Sequence, residues 1–214
     1  MAPSSAWARA VCLTILLLVG SGCGTKWPPP VSNTAELRRY DPSAEWIRGR
    51  GLTDADMALL GRFQNLRVLD FYGGWKRTPS RITGKGLNTV ADLRLPRLEI
   101  LSLAYSDQID DECLAAVSRI KTLKTVQFFS CNRITGRGIS MLAALDQLES
   151  LDVMGCQGLT DAELRGFSAL HNVKGSIELG GCRGITEAGV RQLQLELPQC
   201  RVEKHDDAWD AIAK

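Results

Sequence analysis

The sequence predicts an α/β fold, a right-handed solenoid of about five to six repeats with a curved parallel sheet on its concave side and helices on its convex side. Two recurring phrases carry this prediction. The first is Leu52-Thr53-Asp54, Ile82-Thr83-Gly84, Ile109-Asp110-Asp111, Ile134-Thr135-Gly136, Leu159-Thr160-Asp161 and Ile185-Thr186-Glu187, at spacings of 30, 27, 25, 25 and 26 residues. The second runs in step with it, pairing Leu66, Leu69 and Phe71, then Leu98, Leu101 and Leu103, then Leu123, Val126 and Phe128, then Leu148, Leu151 and Val153. A third consideration is physical. One such unit is too small to bury its apolar strand face, so neighbouring units must stack and share a core.

Each phrase explains its own element. Apolar residues two apart, followed by a Gly, Ser or Cys turn, suit a short strand with one buried face. Thr or Asp after a buried Ile or Leu, ahead of a stretch such as 161–167, places a side-chain oxygen where it caps the first turn of a helix. Thr53 with Asp56 and Thr160 with Glu163 have capping-box spacing.

The chain divides into four parts. Residues 1–23 are a leader, 24–38 a Pro-rich spacer around Pro28-Pro29-Pro30, 39–204 the repeat domain with its caps, and 205–214 a polar tail. In the leader, Arg9 precedes the apolar run from Ala10 to Val19 and then Gly20-Ser21-Gly22, the layout of a secretory signal peptide. The apolar run is about half the ~20 residues a membrane-crossing helix needs. The spacer is expected to be semi-extended without a core. Tyr40 to Arg50, with Asp41 or Ser43 near its start, reads as an N-terminal cap helix, and the stretch ending at Val202 as a short last strand. Between Phe71 and Ile82 lies an insertion with Tyr72, Trp75, Lys76 and Arg77, expected to bulge from one rim as a contact loop. One extra residue before Cys182 predicts a bulge near Gly175-Ser176.

Composition narrows the function. The 214 residues carry 26 Lys plus Arg against 24 Asp plus Glu, too even a balance for a nucleic-acid-binding surface. The only histidines are His171 and His205, and no phosphate loop or dinucleotide fingerprint occurs, so no catalytic residue, cofactor or metal site is assigned. His205, Asp206, Asp207 and Cys200 lack the spacing of a structural zinc site and read as part of a solvated tail. Among the seven cysteines, Cys131, Cys156 and Cys182 share one repeat slot, which predicts stacked, inward-facing free thiols rather than disulfides. Cys113 and Cys200 are expected to be buried thiols too.

The repeat, with Cys131, Cys156 and Cys182 following the strand phrase and Ile-Thr-Gly or Leu-Thr-Asp after them, resembles leucine-rich-repeat proteins of the cysteine-containing type over about residues 51–203. The resemblance implies a solenoid that serves as a protein-interaction scaffold and not as an enzyme. Val19-Gly20-Ser21-Gly22-Cys23 resembles the lipobox of bacterial lipoproteins, although Gly20 stands where an aliphatic residue is usual. It implies lipidation at Cys23 and a membrane-anchored protein of a bacterial envelope. Ordinary signal-peptidase cleavage near Gly22, giving a secreted or periplasmic protein, and an organellar presequence remain as alternatives.

Strand alternation points the residues between the core positions to the concave side. Asp70, Ser102, Gln127, Asp152 and Glu178 form one row there, and Tyr72, Ala104, Phe129, Met154 and Gly180 the next. Phe129 and Met154 are expected to lie exposed side by side as the anchor for a protein partner. The competing reading is a structural envelope protein that assembles through the Trp75 loop and the caps. Partner identity and oligomeric state stay open.

Overall fold

The computed structural model describes residues 28–71 and 80–206. The leader, Cys23, the Tyr72, Trp75, Lys76 and Arg77 insertion and the tail beyond Asp206 lie outside the described residues.

Seven strands form one parallel sheet in chain order: β1 (Trp46–Arg48), β2 (Val68–Phe71), β3 (Ile100–Ala104), β4 (Thr125–Phe129), β5 (Ser150–Asp152), β6 (Ser176–Glu178) and β7 (Arg201–Glu203). Helical segments connect them: a 3-10 helix (Asp54–Arg62), α2 (Gly84–Asp92), α3 (Asp111–Val117), α4 (Gly136–Met141), α5 (Leu164–Phe167) after a 3-10 turn, and α6 (Glu187–Glu196), while α1 (Thr34–Arg39) precedes the sheet. The register is set by apolar columns. Ile47, Leu69, Leu101, Val126, Leu151, Ile177 and Val202 stand opposite one another from β1 to β7. Every one of them is buried in a single core shared by all repeats. Each such side chain contributes roughly 1.5–3 kcal/mol on burial, which no isolated repeat could collect.

The N-terminal cap differs from expectation. No helix spans 40–50; the cap helix is α1, started by Asn33, whose side chain accepts from Glu36 N–H at 3.0 Å. Asp41 instead accepts from the Ser43 N–H at 2.9 Å, closing a local turn, and Trp46-Ile47-Arg48 adds to the sheet because Ile47 fits the column beside Leu69. The spacer also ends sooner than expected. Val31, 1% exposed, joins the core and pairs with Gly49 beyond β1, and Leu37 of α1 is buried with it.

At the other end, Gln194 of α6 seals the outer edge of β7. Its amide accepts from Val202 N–H at 2.9 Å and donates to Cys200 C=O at 2.9 Å, as a further strand would. The extra residue near β6 falls at Lys174, just before the strand. Gly175 donates to Glu149 C=O at 2.9 Å, and Ser176 stays opposite Ser150.

Carboxylates stitch the repeats in pairs. Asp54 accepts from the N–H and hydroxyl of Thr83 at 2.8 and 2.5 Å, Asp111 from those of Thr135 at 2.9 and 2.8 Å, and Asp161 from those of Thr186 at 2.8 and 2.8 Å. The partner repeat has a glycine three residues on, at Gly86, Gly138 and Gly189, where a Cβ would lie inside the same carboxylate. Thr53 and Asp56 form the expected capping box. Thr160 and Glu163 do not; the Glu163 carboxylate reaches back to the Gly136 N–H at 2.5 Å in the preceding repeat.

Candidate functional site

The concave face is built as the strand phrases require. Asp70, Ser102, Gln127, Asp152, Glu178 and Glu203 occupy one register row, and Ala104 stands beside Phe129 in the next. Ser130 N–H donates to Met154 C=O at 2.9 Å, which holds Met154 next to Phe129. A row that alternation also defines, but that the sequence reading passed over, runs through Trp46, Val68, Ile100, Thr125, Ser150, Ser176 and Arg201.

Exposure corrects the expected anchor. Phe129 is 4% and Met154 3% exposed, and Asp70, Ser102 and Gln127 are buried as well. Strands β2, β3 and β4 are buried on both faces, whereas β1, β5 and β6 are buried only on the core side. Alternation decides which way a side chain points and not whether that side is covered. Val68, Ile100, Ala104, Phe129 and Met154 are buried without belonging to the main core cluster, so they form a second apolar layer on the concave side. Asp70 is countered by Arg48, with Nε 3.5 Å from its carboxylate.

The open part of the face lies over β5, β6 and β7, and it is acidic. Asp152 accepts from the Met154 N–H at 3.0 Å, yet burial, with Glu178 beside it, pushes its carboxyl up to about 8. Glu178 accepts from Gly180 N–H at 2.8 Å and from His205 N–H at 3.2 Å through one oxygen. Its other oxygen lies 2.7 Å from His205 Nδ1, and that hydrogen bond raises the imidazole pKa. The ligand atoms of Glu178, Glu203 and His205 all lie within 4.8 Å of one another.

His205 thus sits with Glu178 and Glu203, not with Cys200 or Asp206. Asp206 turns away to the Gly181 N–H at 2.8 Å and to Lys204. The signal for this grouping was present in the sequence. Glu203 follows Glu178 by one repeat length, and His205 lies on the same side two residues further along.

The cysteine slot forms a ladder as expected. Cys156 Sγ lies 3.3 Å from Phe128 C=O and Cys182 Sγ 3.2 Å from Val153 C=O, each in the preceding repeat. The five described cysteines are free and buried. A rim groove of about 460 Å³ holds Arg67, Glu99 and Lys124, but its charges are already joined, at 2.7 Å for Arg67 to Glu99 and 2.9 Å for Lys124 to Glu99. Among the described residues no helix is long and apolar enough to cross a membrane.

Comparison with known proteins agrees with this architecture. A family described as "Leucine Rich repeat" matches residues 120–143. No curated protein matches the sequence. A chain in the crystal structure of the Rad7 and Elc1 complex in yeast is 25% identical with a TM-score of 0.55, over 74% of this chain and 42% of that one. A chain in the crystal structure of the TLR13–ssRNA13 complex is 16% identical with a TM-score of 0.51, over 78% of this chain and 24% of that one, a likeness of fold alone. The chain therefore spans less than half the length of either. Seven parallel strands in one sheet, one helical segment per repeat and these matches together show an α/β solenoid of the leucine-rich-repeat fold.

Proposed function

We propose that the protein is a non-enzymatic scaffold that binds a protein partner through its concave sheet face. The observation that carries this reading is the continuous register row from Asp70 to Glu203, closed over β2–β4 and open over β5–β7. Side chains at strand spacing on a rigid parallel sheet present a fixed pattern that a partner can match at little ordering cost. The likeness to a chain crystallised in the Rad7 and Elc1 complex supports a protein rather than a small molecule as the ligand.

Two finer features belong to the same reading. The thiol ladder of Cys131, Cys156 and Cys182 supports the cysteine-containing repeat type. The leader and the Val19–Cys23 stretch support export with a lipid on Cys23, so that the Pro28-Pro29-Pro30 segment would hold the solenoid off a bacterial membrane.

Photocrosslinking in the native host tests the binding face. A probe replaces Ser150 or Ser176 on the open strands, with Arg165 on the convex side as control. A discrete adduct from the concave positions alone is expected and would identify the partner by mass spectrometry. Equal labelling from Arg165, or no adduct from either strand position, would overturn the reading. Radiolabelled palmitate incorporation that disappears in Cys23→Ala tests the anchor.

A further inference from the structure

We propose that Glu178, Glu203 and His205 form a binding site for a divalent transition-metal ion of the zinc type. The three come from adjacent strands and the residue just past them. Glu178 on β6 stands opposite Glu203 on β7, and His205, two residues beyond Glu203, returns to the same face.

Their donor atoms converge. All lie within 4.8 Å of one another, slightly more than the roughly 4.4 Å that two bonds of about 2.2 Å reach across one ion, so a small inward turn of a side chain completes the set. Glu178 Oε1 is fixed by the Gly180 and His205 N–H groups, which leaves Oε2 facing His205 Nδ1 at 2.7 Å. Two ligands at about 2.1 Å around a tetrahedral ion stand roughly 3.4 Å apart, so this pair has to part by less than about 1 Å to admit one. Among the described residues the second carboxylate is joined only to Arg201, 3.5 Å away and 76% exposed in its side chain, a contact loose enough to let it turn toward an ion.

An independent feature opens the space. The third concave row carries Ala104, Phe129 and Met154 in the earlier repeats but Gly180 here. A Cβ at Gly180 would lie 2.8 Å from the His205 carbonyl oxygen and 3.1 Å from Glu178 Oε1, so the glycine lets the His205 backbone come close beside the carboxylate. One imidazole nitrogen with two carboxylates suits zinc or a neighbouring first-row ion better than calcium or magnesium, which favour all-oxygen shells. Three protein donors also leave a coordination position for water or for a side chain of the partner.

Calorimetric titration of the chelator-treated full-length chain with zinc chloride tests the site. One saturable site is expected, weakened at least tenfold in both Glu178→Gln and His205→Ala, with circular dichroism of the metal-free variants unchanged. Glu203→Gln gives the same reading if Glu178→Gln misfolds, because among the described residues the Glu203 side chain is joined only to exposed Arg201. Cobalt loading is expected to give visible d–d bands without a thiolate charge-transfer band. Absence of saturable binding, affinity unaffected by these substitutions, or binding lost in Cys113→Ser or Cys200→Ser instead would overturn the proposal.

Discussion

Asp111 takes both the backbone N–H and the hydroxyl of Thr135, at 2.9 and 2.8 Å, from one repeat away. The carboxylate therefore satisfies the first free amide of the next helix from outside it, a task usually left to that helix's own cap. Asp111→Ala is expected to cost about 1.5–3 kcal/mol, the range for hydrogen bonds to a charged group. Gly138→Ala, which thrusts a Cβ into that carboxylate, should cost a similar amount, and the double substitution less than the sum because the clash disappears with the acid. Urea denaturation of the two single variants and the double variant measures all three; strict additivity would show that the two residues act separately.

The seal on β7 makes a second prediction. In Gln194→Ala the Val202 N–H and Cys200 C=O lose their partners and the edge becomes available for strand pairing. Apparent mass by light scattering should rise with concentration in the variant and not in the wild type. Identical behaviour of the two would mean that the edge is covered by other groups.

Thiol reactivity gives a third. Burial raises Cys113 to about 11 and Cys131 and Cys182 to about 12, and pushes Cys156 well above the ordinary thiol value. At pH 8 the thiolate of Cys113 is then roughly one part in a thousand, and those of the ladder fewer. Iodoacetamide should leave these four unmodified in the folded protein and label them all in denaturant, as read by peptide mass spectrometry.

A fourth concerns pH. Asp152 titrates near 8 when folded and near the ordinary carboxylate value when unfolded, because its half-buried carboxyl is desolvated beside Glu178, with uncharged Gln127 on its other side and His205 beyond Glu178. The folded state then binds the extra proton, so this group's contribution is full below pH 4 and is lost as pH rises toward 8. Asp152→Asn, measured in chelator, should match the wild type near pH 4 and exceed it in melting temperature at pH 8. A wild type that gains stability over that interval relative to the variant would contradict the assignment.

The sheet was legible in the sequence because two phrases with one period constrain each other. The phrases alone set Leu69, Leu101, Val126 and Leu151 opposite one another, and the thiol slot follows from the same register. The N-terminal cap was not legible, since Asp41 and Ser43 before Trp46-Ile47 look like a helix start and only the fit of Ile47 beside Leu69 makes this stretch a strand. The anchor failed for a different reason. Phe129 and Met154 point to the concave side as alternation requires, but periodicity carries no information on what lies above that side. Glu178, Glu203 and His205 were recoverable by carrying the register one repeat past Glu178, where the apolar phrase fades and register alone remains.

The alternation of Asp54, Asp111 and Asp161 with Gly86, Gly138 and Gly189 has a bearing on descent. A deletion of the one repeat that carries Gly138 would set Asp111 against Glu163, two carboxylates where one acid and one glycine now meet. A deletion of two adjacent repeats would restore the match. The heritable unit of length in this protein is therefore a doublet, and relatives that share the pattern should differ in size by steps of about fifty residues, twice the repeat length.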